Sequence, residues 1–229
     1  MLLTTLSSEI IRLDTEIFFF FNQLHSPYFD YFMWCFSNKY VWIPMYLSLA
    51  YLLKRNYNWS FTLLSIVGIA LVILISDQVG ASLIRPYVCR LRPSNLNNEI
   101  SSMVHIVNNY RGGSYGFPSC HASNTFGLAF YLILLLRQRG LSIFFLGWAA
   151  LTCYSRIYLG VHYPGDTFAG MLLGLASAVI VYYALQGLYR RCHVENHENG
   201  LSSVYVPVAV GVITVLLIMI YSGVMLCRA

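Results

Sequence analysis

Three short clusters hold most of the residues in this chain that could do chemistry. The first runs from Arg85 to Arg92-Pro93, the second is Pro118-Ser119-Cys120-His121, and the third runs from Ser155-Arg156 through His162 to Asp166. Two histidines, three arginines, a serine ahead of an apolar run and a carboxylate are the parts that phosphoryl transfer needs. Its transition state spreads charge over the equatorial oxygens, so catalysis rests on positioning and on donors aimed at those oxygens. Arginine suits the task because its planar fork gives paired hydrogen bonds to phosphate and keeps its charge when partly desolvated.

Each of these residues also has a plainer reading. One arginine beside an apolar run can simply anchor a helix by snorkelling to lipid headgroups. Three arginines with two histidines argue instead for a bound anion. Ser119 follows a proline and precedes an apolar run, so it is a candidate N-cap that leaves the N–H groups of Cys120 and His121 pointing outward at a phosphate. Without His121 beside it, an ordinary cap would account for it. His162 and Asp166 are four apart and share a face if a helix begins near Tyr163; the carboxylate then accepts from one ring nitrogen and the other is free to attack. Alone, such a pair is often structural. A cysteine phosphatase would need an arginine six positions after Cys120, and that position is Phe126. Asp77, inside an apolar run, is either functional or the ion-pair partner of Arg85.

The elements that must position these residues are membrane helices. The chain is 58% hydrophobic and 10% charged, with a mean hydropathy of +0.62, whereas about a quarter of residues are charged in soluble domains. One crossing takes ~20 apolar residues, so there is room for about six spans and little else. They are expected at 28–53, kinked at Pro44, and at 61–84, 122–136, 141–159, 164–188 and 205–226. The helix at 122–136 must begin near Ser119 to gain length, and Pro164 suits a first helical turn. Ahead of them, 1–26 carries an apolar stripe of Ile10, Ile11, Leu13, Ile17, Phe20, Phe21 and Leu24 opposite Arg12, Asp14 and Glu16, which fits an interfacial helix or an ordinary packed one. It lacks the pattern of a signal peptide. The expectation is an all-α, polytopic membrane bundle forming a single domain over 1–229.

Six spans put both termini on one side together with the polar loop 85–118 and the turn 155–164. The other side holds short turns marked by Lys54-Arg55, Arg137 with Arg139, and Arg190-Arg191, which the positive-inside rule makes cytoplasmic. The sequon at Asn58 would then be unused. The net charge of +5 is scattered in pairs rather than gathered on one face, which argues against nucleic acid and for the bilayer and a lipid phosphate as partners. Cys35, Cys89, Cys120, Cys153, Cys192 and Cys227 have neither disulfide nor zinc spacing and read as small hydrophobes. No residue cluster calls for a metal or another cofactor.

Taken in order, Arg85-x6-Arg92-Pro93, Pro118-Ser119-Cys120-His121 and Ser155-Arg156-x5-His162-x3-Asp166 resemble the signature of the type 2 phosphatidic acid phosphatase superfamily, K-x6-R-P, P-S-G-H and S-R-x5-H-x3-D. Arg85 stands where lysine is usual and Cys120 where glycine is usual; the latter needs only its backbone N–H for phosphate. The resemblance implies that His162 is the nucleophile, that Asp166 orients it, that His121 is the acid for the leaving group and later the base for water, and that Arg85, Arg92, Ser119, Cys120 and Arg156 hold the phosphate without a metal. Leu13-Asp14-Thr15-Glu16, Tyr110-Arg111-Gly112-Gly113 and the stretch 155–165 look most like bacterial members acting on lipid A or a polyprenyl diphosphate at the periplasmic face of the inner membrane. A phosphatidic-acid-like lipid is a further substrate candidate. Two rivals are a phosphotransferase using the same phosphoenzyme and a transporter lined by intramembrane charges.

Overall fold

Caps start several of the helices where the apolar runs begin. The computed structural model describes residues 2–191 and 203–228. Helix α1 is Leu2–Asn22. Ser26 accepts from the Phe29 N–H and Pro27 takes the first position of α2, Pro27–Phe36, an arrangement in which the missing proline N–H costs nothing. Asn58 accepts from the Phe61 N–H at 2.9 Å to open α4, Trp59–Asp77. Ser119 caps α6, Cys120–Leu136. Helices α7, Arg139–Tyr158, α8, Pro164–Arg191, and α9, Val206–Arg228, complete the bundle.

The fold is the all-α, polytopic membrane bundle expected. Among the described residues four helices are long and apolar enough to cross a membrane, Trp59–Val88, Arg139–Tyr158, Pro164–Arg191 and Val206–Arg228, and Cys120–Leu136 is a shorter apolar helix. The segment 28–53 differs from the single kinked span expected. After α2 the chain breaks at Ser37-Asn38, makes a 3-10 turn over Lys39–Trp42 and restarts as α3, Ile43–Asn56. Asn38 caps the turn through Tyr40 N–H, and Trp42 Nε1 donates to the Phe36 carbonyl at 2.9 Å, so groups that a continuous helix would have paired find partners within the break. Pro44 lies in the first turn of α3, where proline is tolerated, instead of kinking a helix interior.

The helix that leads into the first cluster also runs on further than expected. Past Asp77 it winds as a π-helix over Gln78–Ile84 and ends as α5, Arg85–Val88. The irregular loop therefore begins at Cys89, which is left-handed, and Arg85 sits on a helix.

Glycines let α8 lie directly against α6. A Cβ at Gly170 would fall 2.4 Å from the Ser119 carbonyl oxygen, and one at Gly174 2.4 Å from that of Ser123. Small residues four apart allow this backbone approach in membrane helices, where dispersion and polar contacts replace the hydrophobic drive. The seam brings the start of α6 beside the start of α8, and the Ser119 N–H donates to the Asp166 carbonyl at 2.9 Å.

The loop from Cys89 to Pro118 is pinned at several points. Arg92 N–H bonds to Ser114 O and Gly116 N–H to Arg90 O, folding the loop back on itself. Ser94 N–H reaches the carbonyl of Gly160, a residue with φ +72° whose Cβ would strike the loop at Val104 and His105. At the end of α1, buried Asn22 donates to His105, Ile157 and Tyr158 carbonyls and accepts from the His105 N–H. One amide thus ties α1 to the loop and to α7 and meets its own hydrogen-bonding needs.

Candidate active site

The three clusters converge where the C-terminal ends of α5 and α7 meet the N-terminal ends of α6 and α8. His162, in the turn between α7 and α8, is buried, as are Arg92, Ser119, Arg156 and Asp166. Its Nε2 is 3.0 Å from Arg92 Nη1. A guanidinium has no acceptor, so Nε2 must be accepting and the ring proton must be on Nδ1. Nδ1 faces Asp166 Oδ2 at 3.4 Å, and that oxygen also takes the Tyr163 N–H at 3.0 Å. The residue at the third position of α8 thereby caps its own helix and fixes the histidine tautomer.

Burial, with the positive charges of Arg92, Arg156 and Arg85 adding to it, holds His162 well below the ordinary histidine value of 6.5. The ring is neutral at physiological pH and keeps a lone pair on Nε2. Arg92 is brought down to about 10, chiefly by burial and then by Arg156 and Arg85, so it remains a cation. Its Nη1 also donates to Val161 O at 3.0 Å and its Nε to Tyr115 O at 3.1 Å. Arg156 donates through Nη1 to Ser37 Oγ, and its guanidinium lies 5.7 Å from the centre of the Tyr110 ring. Arg85 Nη2 reaches the Pro118 carbonyl and Cys120 Sγ, each at 3.0 Å. The Nε atoms of Arg85 and Arg156 are buried without a partner, donors left over in a site rich in positive charge.

Ser119 is an extended N-cap whose hydroxyl lies 3.5 Å from the Ala122 N–H. As the first residues of α6, Cys120 and His121 carry N–H groups with no partner inside the helix. His121 is half-buried and within electrostatic reach of Arg156, His162, Arg92 and Lys39. All eight residues expected at the site therefore lie in one cluster. Chemically it offers a neutral imidazole with a carboxylate behind it, a second imidazole, and three guanidiniums beside a helix N-terminus.

The PAP2 superfamily model matches residues 61–190, more than half of the chain. The chain belongs to the PAP2 superfamily. Similar proteins include a lipid A 4'-phosphatase of Bacteroides thetaiotaomicron, 46% identical over 92% of this chain and 95% of that one. A second lipid A 4'-phosphatase, from Porphyromonas gingivalis, is 31% identical over 76% of this chain and 73% of its own. The crystal structure of Aquifex aeolicus LpxE superposes with a TM-score of 0.59 over 75% of this chain and 95% of that chain, at 24% identity, which speaks to the fold. This PAP2 protein is accordingly a multi-pass membrane phosphatase of lipid phosphates.

Several residues that bear on the cluster lie outside the three motifs. Arg90 Nη1 binds Asp166 Oδ1 at 3.0 Å and its Nη2 binds Asp14 Oδ2 at 2.7 Å. Asp14 was expected on the polar face of α1 with Arg12 and Glu16. Arg12 and Glu16 are exposed, but Asp14 turns inward with Phe18 and Asn22. The spacing Asp14-x3-Phe18-x3-Asn22 is one helical face, and being mostly polar it does not register as an apolar stripe. Asp77 forms no ion pair with Arg85 within 4.0 Å; Asn124 Nδ2 donates to it at 3.1 Å, and the intervening π-helix changes the phase between positions 77 and 85. Cys35, Cys89, Cys120, Cys153 and Cys227 are free thiols, and Cys192 lies outside the described residues.

Proposed function

We propose that the chain hydrolyses a phosphate monoester of a lipid A-type glycolipid through a phosphohistidine on His162. The observation that carries the mechanism is the placing of the His162 ring, with Nε2 3.0 Å from Arg92 Nη1 and Nδ1 facing Asp166, which leaves the lone pair on Nε2. Nε2 forms the bond to phosphorus as the ester P–O bond breaks, and His121 gives its proton to the departing oxygen. Asp166 stabilises the positive charge that the substituted ring acquires. Water then attacks the phosphohistidine, loses its proton to His121 and leaves as inorganic phosphate, with Nε2 restored. Arg85, Arg92, Arg156, the Ser119 cap and the N–H groups of Cys120 and His121 stabilise the equatorial oxygens.

The substrate reading rests on the two lipid A 4'-phosphatases that match most of their length. Polyprenyl diphosphates and phosphatidic-acid-like lipids are the alternatives. Release of phosphate from a panel of the three by purified protein tests it, and turnover of polyprenyl diphosphate alone would overturn the choice. We also place the active site on the periplasmic face of the inner membrane, with 1–26 in the interface. The helix ends that carry the cluster are opposite those that carry Lys54, Arg55, Arg137, Arg139, Arg190 and Arg191, and α1 exposes Ile10, Ile11, Leu13, Ile17 and Phe20.

The histidine roles are separable. His162→Ala abolishes turnover of every substrate. His121→Ala loses ~10²–10⁴-fold on an alkyl phosphate, where an acid is needed, and much less on p-nitrophenyl phosphate, whose leaving group is stable as an anion. An alkali quench of the latter reaction traps phosphate on His162; phosphate on His121 instead would refute the assignment.

A further inference from the structure

The buried carboxylate behind His162 does not stand alone. Asp166 is fully buried, and its two oxygens have different tasks: Oδ2 serves His162 and the Tyr163 N–H, while Oδ1 is held by Arg90. Arg90 reaches past Asp166 to Asp14 of α1, so one guanidinium spans two carboxylates, at 3.0 and 2.7 Å. Its plane is set from one side by the Tyr163 ring, 3.9 Å away, and Tyr163 is itself fixed by Asn98 through its hydroxyl and by Phe18 of α1. Asp14 is anchored too, accepting from the Gly165 N–H at 2.7 Å. Gly165 has to be glycine for this, since a Cβ there would lie 2.7 Å from Asp14 Oδ2.

We propose that Arg90 and Asp14 are positioning residues for the nucleophile, with α1 supplying the carboxylate that aims Arg90 at Asp166. The proposal rests on the phosphohistidine reading. An ionised carboxylate taken out of water needs a hydrogen-bonded cation, and a guanidinium with carboxylates on two sides has one orientation in which both are satisfied. Release one end and Arg90 can turn away, leaving Asp166 free to shift from Nδ1. Attack by Nε2 then slows for every substrate alike, because Asp166 acts on the nucleophile and not on the leaving group.

Asp14→Asn separates this role from simple anchoring, since the amide oxygen still accepts from Gly165 while the charge on Arg90's far side is lost. Rapid mixing with p-nitrophenyl phosphate reads the rate constant of the phosphoenzyme burst and, from its amplitude, the fraction of competent protein. We expect Asp14→Asn and Arg90→Lys, whose ammonium cannot span both carboxylates, to slow the burst on the order of 10- to 100-fold. Amplitude is retained and KM stays within about twofold, as neither residue touches substrate. Gly165→Ala, which pushes the Asp14 side chain aside, acts in the same direction. Asp14→Asn added to Arg90→Lys brings little further loss. A wild-type burst rate in Asp14→Asn overturns the proposal, and so does a reduced amplitude at an unchanged rate, which is a folding effect only. Turnover by the unmodified protein without an alkali-stable phosphoenzyme overturns the phosphohistidine reading and this proposal together.

Discussion

Replacing Gly170 by alanine tests whether the seam between α6 and α8 sets the geometry of the site. The added Cβ would stand 2.4 Å from the Ser119 carbonyl oxygen and 2.8 Å from the Ala122 Cβ. Ordinary contact begins near 3.4 Å, and a backbone carbonyl cannot rotate aside, so the two helices must part locally by about 1 Å. The same movement stretches the bond from Ser119 N–H to Asp166 O, now 2.9 Å, beyond hydrogen-bonding range. It carries the Ser119 cap of α6 away from the carboxylate behind His162. A displacement of that size at reacting groups costs about 10²-fold in rate, while overpacking costs about 1–3 kcal/mol of stability. The assay is initial phosphate release in detergent, from p-nitrophenyl phosphate and from a phosphorylated lipid, normalised to monodisperse protein. Gly187→Ala on the same helix is the control, because nothing lies within 4 Å of its Cβ. Gly174→Ala, one turn deeper, should lose comparable stability and less activity. If folded Gly170→Ala keeps its rate within threefold of the parent, or if Gly187→Ala loses as much, the seam does not position the site.

Three further outcomes are expected. Activity persists in excess EDTA, since arginines rather than a metal are assigned to neutralise the phosphate; loss restored by Mg²⁺ would contradict that. Cysteines placed at Gln138 and Arg190 react in intact cells with membrane-permeant reagents only, and labelling by an impermeant one would invert the topology. Below pH 6.5 the unfolded chain protonates His162 while the folded one resists. The stability that this residue contributes is therefore present above 6.5 and is lost as pH falls, by up to about 1.4 kcal/mol per pH unit. Thermal melts between pH 7 and 5 should flatten in His162→Asn, and equal slopes in both proteins would refute the assignment.

The second and third motifs were legible because they place residue types at helix ends by local rules: Ser119 as a cap, Pro164 in a first turn, Asp166 four residues after His162. What was hidden depended on partners distant in sequence. Asp14 reads as a solvated charge on α1 until Arg90 and Gly165 are placed against it. The break at Ser37-Asn38 was masked by the apolar character of 28–53, yet it delivers Ser37 to Arg156. No local signal announces the π-helix between Asp77 and Arg85, and of the two readings left open for Asp77 the ion pair is not formed, Asn124 donating to it instead.

The links made by α1 bear on how the protein comes into being. Asp14 waits for Gly165, 151 residues later in the chain, and Asn22 waits for Ile157 and Tyr158, 135 and 136 residues later. At synthesis rates of about 5–20 residues per second, the first of those intervals lasts on the order of ten seconds. During that time the earliest helix is made and Arg90 becomes available to its inward carboxylate, but the anchor at Gly165 and the His162–Asp166 pair come only at the end. A chain cut short at the end of α7 lacks His162, Asp166 and Gly165, the residue to which Asp14 is anchored. On the phosphohistidine reading, a nascent fragment that ends before His162 cannot attack the lipids of the membrane that holds it.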